Sequence, residues 1–271
     1  MRRSRPYISS IARLNGDSEK GRTLMQSSQI TGNLNVNSEI GIILPTYCEA
    51  ANIEKLVREL EESDLNISIL VVDDKGPDGT ADIVRKLQKK YRNVLLLVRE
   101  KKLGLGTAIT DGFKAFLLMK HPPKCIVTMD ADYSHNPKEI PKLIAPVREG
   151  CDLVVGSRYC QGGATREWSV GRMVISKIAN LITKLRIDAK ISDYTSGMRC
   201  YSTRLVKGII NDLHSQTYEI QIETIRQANS RGYRISEAPI VFANRKKGKS
   251  KLSINEIRDF LSYILSLNKK Y

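Results

Sequence analysis

The chain has 271 residues, 41% of them hydrophobic, which is enough for one α/β domain or two smaller ones with a full-sized core. Five cysteines without a C-x-x-C pair argue for reduced thiols in a cytosolic setting, and three scattered histidines leave little material for a zinc cluster or a Ser-His-Asp triad. A net charge of +15 asks for an anionic partner, and with 6% aromatic residues and no nucleic-acid-binding fingerprint a membrane surface ranks above nucleic acid; a merely solvated basic surface is the plain alternative.

Residues 1–38 are rich in Ser, Asn, Gly and Arg and read as a disordered N-terminal arm. Arg2, Arg3, Arg5 and Arg13 among serines faintly suggest a transit peptide, but Asp17 and Glu19 weigh against it. From Glu39 onward strands alternate with helices. Ile42-Ile-Leu-Pro45 runs into Thr46-Tyr-Cys-Glu49, after which Asn52 is expected to cap a helix with Ile53, Leu56, Val57 and Leu60 on its buried face. Ile69-Leu-Val-Val72 runs into Asp73-Asp-Lys-Gly-Pro-Asp-Gly-Thr80, followed by a helix over Ala81–Tyr91. Apolar β-branched runs that stop at acids and turn formers are the mark of buried parallel strands feeding surface loops. Val94-Leu-Leu-Leu-Val98 makes a third strand. Beyond it Gly104 and Gly106 permit close backbone approach, and a helix from Thr107 would aim its amides at an anion, although any tight strand-to-helix turn needs the same glycines.

The fourth strand, Cys125-Ile-Val-Thr-Met129, ends at Asp130-Ala-Asp132. Two carboxylates one residue apart repel unless a cation or proton intervenes, so the pair suggests an oxygen-ligated metal site. A strand-ending acid followed by a helix N-cap acid accounts for the pair alone equally well, since Pro137 and Glu139 announce a helix. Three successive strand ends carrying polar groups make the functional reading stronger, because ligands lie beyond the carboxyl ends of such strands. A fifth strand, Asp152-Leu-Val-Val-Gly156, delivers Ser157-Arg-Tyr159, and Arg166, Arg172 and Lys177 follow in a segment suited to line a cleft; each singly reads as cationic surface. Near the end, Arg245, Lys246, Lys247, Lys249 and Lys251 share one loop without an acid. Ser253-Ile-Asn-Glu256 is a capping box, and the helix it opens, within 253–271, carries a wide apolar stripe through Ile257, Phe260, Leu261 and Ile264. Core packing and an interfacial role fit the stripe equally, and the basic loop beside it favours the membrane. No apolar run is long enough to span a bilayer, so contact is expected to be peripheral or through another subunit.

Jointly, seven motifs resemble the nucleotide-sugar glycosyltransferases of family 2, and within it the dolichol-phosphate mannose synthases. They are Pro45-Thr-Tyr-Cys-Glu49, Asp73-Asp-Lys-Gly-Pro-Asp-Gly-Thr80, Lys102-Leu-Gly-Leu-Gly-Thr-Ala108, Asp130-Ala-Asp132, Gly156-Ser-Arg-Tyr159, Ser196-Gly-Met-Arg199 and Arg245-Lys-Lys-Gly-Lys-Ser-Lys251. The resemblance covers Glu39–Leu267. It implies an α/β fold of the GT-A type over residues 39–252, a Rossmann-like and mostly parallel sheet flanked by helices. It implies that Pro45, Tyr47, Glu49, Asp74 and Asp78 surround the nucleotide's base and ribose, with Lys102 also on the donor side. Asp130 and Asp132 match the metal-diphosphate motif, for Mg²⁺ or Mn²⁺. Arg158, Arg172 and Ser176 match residues around the sugar and acceptor phosphate, and Arg245 and Lys251 match a loop that closes over the donor phosphates. Asp132, Arg158 and Arg172 are the residues expected to carry the transfer. Cys48, Gly76 and Ser134 depart from the usual Asn, Ser and amide of the family.

The expected activity is transfer of mannose from GDP-mannose to a polyprenyl phosphate with inversion. The expected setting is the cytosolic face of a membrane, with a small anchoring subunit as a further partner and no nucleic acid. A polyprenyl phosphate is largely ionised at neutral pH, its second pKa being roughly 6 by analogy with phosphoserine, so no general base is required. The rival readings are a related family 2 enzyme using UDP-glucose or another acceptor, and a basic nucleic-acid-binding module.

Overall fold

The computed structural model describes residues 29–187, 189–244, 260 and 262–266. In chain order the elements begin with β1 (Gln29–Thr31), β2 (Ile40–Thr46), α1 (Ala50–Glu61), β3 (Ile67–Asp73), α2 (Thr80–Lys90), β4 (Val94–Val98), α3 (Leu105–Leu117) and β5 (Cys125–Thr128). There follow α4 (Ile140–Arg148), β6 (Leu153–Ser157), β7 (Ala164–Arg166), α5 (Val170–Arg186), β8 (Arg199–Ser202), α6 (Thr203–Ile209), α7 (Ile220–Ser230), β9 (Ile235–Pro239) and β10 (Val241–Ala243).

Eight strands form one mixed sheet in the order β1-β4-β3-β2-β5-β8-β6-β9. Strands β4, β3, β2 and β5 run parallel, β8 lies antiparallel between β5 and β6, and β9 runs parallel to β6. The period-two alternation of buried strands divides their side chains between two cores. Ile40, Ile42 and Leu44 of β2 and Ile67, Ile69 and Val71 of β3 pack with the buried faces of α1, α2 and α4. Leu70, Val72 and Ile43 point the other way, onto Phe113 and Phe116 of α3 and the buried residues of α6 and α7. This is the expected Rossmann-like α/β sandwich. After β2 the chain builds outward through β3 and β4 and then returns to place β5 on the opposite side of β2. The topological switch therefore falls between β2 and β5, where a crevice for ligands opens.

Three expectations need correction. Residues 29–38, assigned to the arm, instead supply β1, which pairs antiparallel with β4 through Gln29↔Val98 to Thr31↔Leu96. A polar three-residue edge strand has no apolar run to announce it; residues 1–28 lie outside the described residues. Asn52 does not cap α1: the helix begins at Ala50, and the Asn52 amide donates to Glu49 Oε2 at 2.8 Å from inside the first turn. The amides at the start of α3 do not point at an anion, because Gly106 and Thr107 both donate to the Gln216 carbonyl. Close approach at these glycines is real, but its partner is the 215–216 backbone: a Cβ would stand 2.4 Å from Gln216 O at Gly104 and 2.4 Å from Ser215 O at Gly106. Gly106→Ala is accordingly expected to destabilise the protein by about 1–3 kcal/mol, the usual cost of overpacking against backbone, as measured by denaturant unfolding.

Of the C-terminal helix, residues 260 and 262–266 are described and helical. Ile264 is buried in the core, and Phe260 and Tyr263 pack against it, so this turn of the stripe covers the domain.

Candidate active site

The loops after β2, β3 and β5 are backbone-strained where they leave the sheet. Cys48, Lys75 and Tyr133 all have positive φ, at 57°, 52° and 64°, and Glu167 joins them at 61°. Such conformations in non-glycine residues persist only where the surroundings over-determine them, and they concentrate at ligand sites. Two of these loops are tied together by Asp78 and Thr80. Asp78 accepts from the Ala50 amide at 2.8 Å and from the Thr80 hydroxyl at 2.7 Å, while that hydroxyl accepts from the Glu49 amide at 3.0 Å. Burial pushes the Asp78 carboxyl up, but these bonds outweigh it and hold it below the usual range.

Asp74 pairs with the fully buried Arg99, which also donates to Thr107 Oγ1 and the Gly104 carbonyl, fixing the loop that carries Lys102. Lys102 Nζ lies 5.4 Å from the centroid of the Tyr47 ring. After β5, Asp132 Oδ1 accepts from the Ser134 amide at 3.0 Å and hydroxyl at 2.5 Å, holding the turn that follows the two carboxylates. The Asp130 amide donates to His135 Nδ1 at 3.0 Å. His135 is fully buried, and burial lowers its pKa against the pull of Asp130 and Asp132; with Nδ1 accepting, the neutral ring carries its proton on Nε2.

Arg158 leaves the end of β6 and forms a buried fork with Asp193. Nε donates to Oδ2 and Nη2 to Oδ1, both at 2.7 Å. Burial pushes the Asp193 carboxyl up, but the Arg158 charge and hydrogen bonds outweigh it and hold it below the carboxylate range. Arg172, in the first turn of α5, donates to Asn244 Oδ1 at 3.0 Å, and Ser176 one turn later accepts from the Tyr159 hydroxyl at 2.8 Å.

These groups surround one cavity of about 620 Å³, a size suited to a cofactor or substrate. Pro45, Tyr47, Glu49, Asp74, Lys102, Asp130, Asp132, Arg158, Arg172 and Ser176 all line it. Asp78 is not in the lining; its carboxylate braces the loops behind Glu49. Arg245 and Lys251 lie outside the described residues. Sequence reasoning missed Trp168, Phe242, Thr195, Tyr218 and Gln221, which also line the cavity, as well as Asp193 and His135 behind it. The signal for Asp193 was its place just before Ser196-Gly-Met-Arg199; Arg199 itself is wholly buried and donates to the carbonyls of Ser196, Gln221 and Tyr194.

The family model for glycosyl transferase family 2 matches residues 41–210. The chain belongs to glycosyl transferase family 2. It is 36% identical over 220 residues to the polyprenol monophosphomannose synthase of Mycolicibacterium smegmatis, covering 80% of this chain and 82% of that one. It is 33% identical over 235 residues to the dolichol-phosphate mannosyltransferase of Pyrococcus furiosus, covering 85% of this chain and 64% of the longer archaeal protein. Glucosyl-3-phosphoglycerate synthase of Mycobacterium tuberculosis, solved with Mn²⁺, UDP and glucosyl-3-phosphoglycerate, superposes with a TM-score of 0.62 at 20% identity, over 86% of this chain and 81% of that one. At that identity the likeness establishes the fold, which is GT-A.

Two departures from the family 2 pattern meet in space. A Cβ at Gly76 would stand 2.7 Å from the Cys48 amide nitrogen and 2.9 Å from its sulfur, so the serine common in the family does not fit beside Cys48 on this backbone. The donor set at Asp130 and Asp132 fits a divalent cation. Both are hard oxygen donors on the cavity wall, and no group of three or more His, Cys, Asp or Glu side chains suited to a metal occurs among the described residues. A site with one or two carboxylates, completed by water and phosphate oxygens, is the usual habit of Mg²⁺ and of similar hard cations.

Proposed function

We propose that the chain transfers mannose from GDP-mannose to the phosphate of a polyprenol, with inversion at the anomeric carbon. The observation that carries this is the meeting of opposite charges in one cavity, which is lined by the carboxylates of Asp130 and Asp132 and by the guanidinium groups of Arg158 and Arg172. The carboxylates suit a cation with a diphosphate, the guanidinium groups a free phosphate. The names of the two relatives support the choice of sugar and acceptor.

Pro45, Tyr47 and Glu49 bound the nucleotide end, with Lys102 over Tyr47, and Asp74 and Asp78 act by fixing the loops around them. A bound Mg²⁺ or Mn²⁺ would neutralise charge developing on the leaving diphosphate. Arg158, Arg172 and Ser176 hold the acceptor phosphate in line, and because that phosphate is already ionised it attacks without a base. His135 suits this scheme as a neutral brace for the Asp130 backbone. The roles of Arg245 and Lys251 in covering the donor phosphates belong to the same proposal.

Helix α5 supports a lipid acceptor at a membrane surface. Val170, Val174, Ile178, Leu181 and Leu185 form a continuous exposed row along it, Leu185 being 64% exposed, and Ile175 links that row to the cavity lining. Lys177, Lys184 and Arg186 stand on the same helix, the composition of an interfacial helix facing anionic lipid. No described helix is long and apolar enough to cross a membrane. Ile178→Glu with Leu181→Glu is expected to lower binding to anionic liposomes by at least about tenfold while leaving the melting temperature unchanged, since these side chains touch water rather than core. Unaltered sedimentation of that double variant with liposomes would remove the membrane role of α5.

The test of the function is a competition assay. Purified protein with Mn²⁺ or Mg²⁺ is given equal GDP-mannose and UDP-glucose together with a short polyprenyl phosphate, and the lipid fraction is weighed by sugar label. Mannose in the lipid supports the reading; glucose in the lipid moves the enzyme to the UDP-sugar branch, and label reaching only other acceptors overturns the lipid assignment.

A further inference from the structure

The acceptor wall of the cavity is built on an aromatic surface. The Arg172 guanidinium carbon lies 4.1 Å from the centroid of the Trp168 ring, and that of Arg158 lies 5.2 Å from it. Phe242 stands 5.7 Å from each guanidinium and meets Trp168 edge-on at 5.3 Å between centroids. Two like charges thus lie near one indole ring, whose π system favours cations electrostatically and presents little competing hydrogen bonding.

Trp168 is held in place from both sides along the chain. Glu167 before it has φ 61° and its carbonyl accepts from the Asn244 side-chain amide, while Ser169 after it caps α5 by accepting from the Arg172 amide at 3.3 Å. Asn244 also accepts from Arg172 Nη1, so one side chain brackets both the tryptophan's backbone and the arginine stacked on it. Trp168 lines the cavity, and its Nε1 has no hydrogen-bond partner among the described residues, so the ring is held by its faces rather than by its polar edge.

We propose that Trp168 is a positioning residue for the acceptor phosphate: its indole face holds the Arg172 guanidinium alongside the Asp193-anchored Arg158, so that both present donors to one anion. This rests on the proposed lipid phosphate acceptor. Packing alone would make any bulky apolar side chain equivalent, whereas a stacking role requires an aromatic ring.

The chain contains a single tryptophan, so its intrinsic fluorescence reports on this position alone. Titrating the metal-loaded protein with a short polyprenyl phosphate is expected to change the tryptophan emission saturably, and Arg172→Met is expected to abolish that change. In transfer assays Trp168→Phe is expected to stay within about twofold of wild type. Trp168→Leu, which keeps an apolar side chain but has no π face, is expected to raise the acceptor KM about five- to tenfold with the donor KM unchanged, the scale of one partly desolvated cation–π contact. Equal behaviour of the Phe and Leu variants, a parallel rise in both KM values, or no emission change at saturating lipid phosphate would overturn the positioning role. An emission change without any sugar transfer to that lipid would leave the stacking role standing and sink the acceptor assignment instead.

Discussion

Asp132→Ala is expected to lower mannosyl transfer by about a thousandfold at saturating Mg²⁺ or Mn²⁺, the scale on which one preorganised electrostatic contact acts. The carboxylate is buried at the cavity wall, and its Oδ1 is oriented by the Ser134 amide and hydroxyl, so the side chain is fixed before any cation arrives. Removing it leaves a single acid, Asp130, to clamp the diphosphate's counter-ion. The fold should survive, because the hydrogen bonds to Ser134 that go with the side chain are local to one turn and are worth on the order of 1–2 kcal/mol. Steady-state rates over a metal titration, with melting curves alongside, make the check. A folded Asp132→Ala protein with wild-type turnover at any metal concentration would show that the acid pair is a turn-forming device and not a ligand set.

Arg158→Ala carries the second large effect, and it acts on stability as well as on activity. Asp193 is wholly buried and accepts from Arg158 Nε and Nη2 and from the backbone amides of Arg158, Thr195 and Ser196. Truncating the arginine leaves an uncompensated buried carboxylate, which costs about 3–5 kcal/mol and lowers the melting temperature by roughly 10 °C. The double variant Arg158→Met with Asp193→Asn removes both charges and keeps an amide-accepting oxygen. It is expected to recover most of the stability while transfer stays lost, which separates the structural role of the pair from the phosphate-binding role of the guanidinium. The pH dependence has a definite sign. Because the folded-state pKa of Asp193 is lowered, the pair's contribution is complete above the unfolded carboxylate value of about 3.9 and disappears as pH falls through the folded value. The stability gap between wild type and Arg158→Ala should therefore be widest near neutrality and close in acid.

The part of the cavity at the ends of β2, β3 and β5 was legible because parallel strands buried on both faces read as apolar runs, and the acids that end them at Glu49, Asp74, Asp130 and Asp132 interrupt the pattern sharply. The part built from β6 and α5 was less so. Arg158 and Arg172 were visible as residues, but their anchoring partners come from far along the chain: Asp193 lies 35 positions beyond Arg158, and Asn244 lies 72 beyond Arg172. No local periodicity encodes such pairs. The same is true of β8, a short strand threaded antiparallel between β5 and β6, and of β10, whose Ala243 amide donates to the Ser134 carbonyl and so brings Phe242 against His135 in the turn after β5. Gly104 and Gly106 gave the opposite lesson. Their spacing correctly announced close backbone approach, yet the approaching group is the protein's own 215–216 segment, because a glycine permits proximity without naming its partner. His135, one of three scattered histidines in the sequence, sits directly behind Asp130, where the chain from Asp130 to His135 folds back on itself.

The most direct measurement of the central claim is the structure of the lipid product formed from GDP-mannose, a divalent cation and a polyprenyl phosphate. Mass spectrometry and NMR should find one mannose joined to the prenyl phosphate through a β-linked phosphodiester, formed in one displacement by an acceptor held between Arg158 and Arg172. An α-linked product, or the absence of any lipid-linked hexose from protein that binds the donor, would contradict the account.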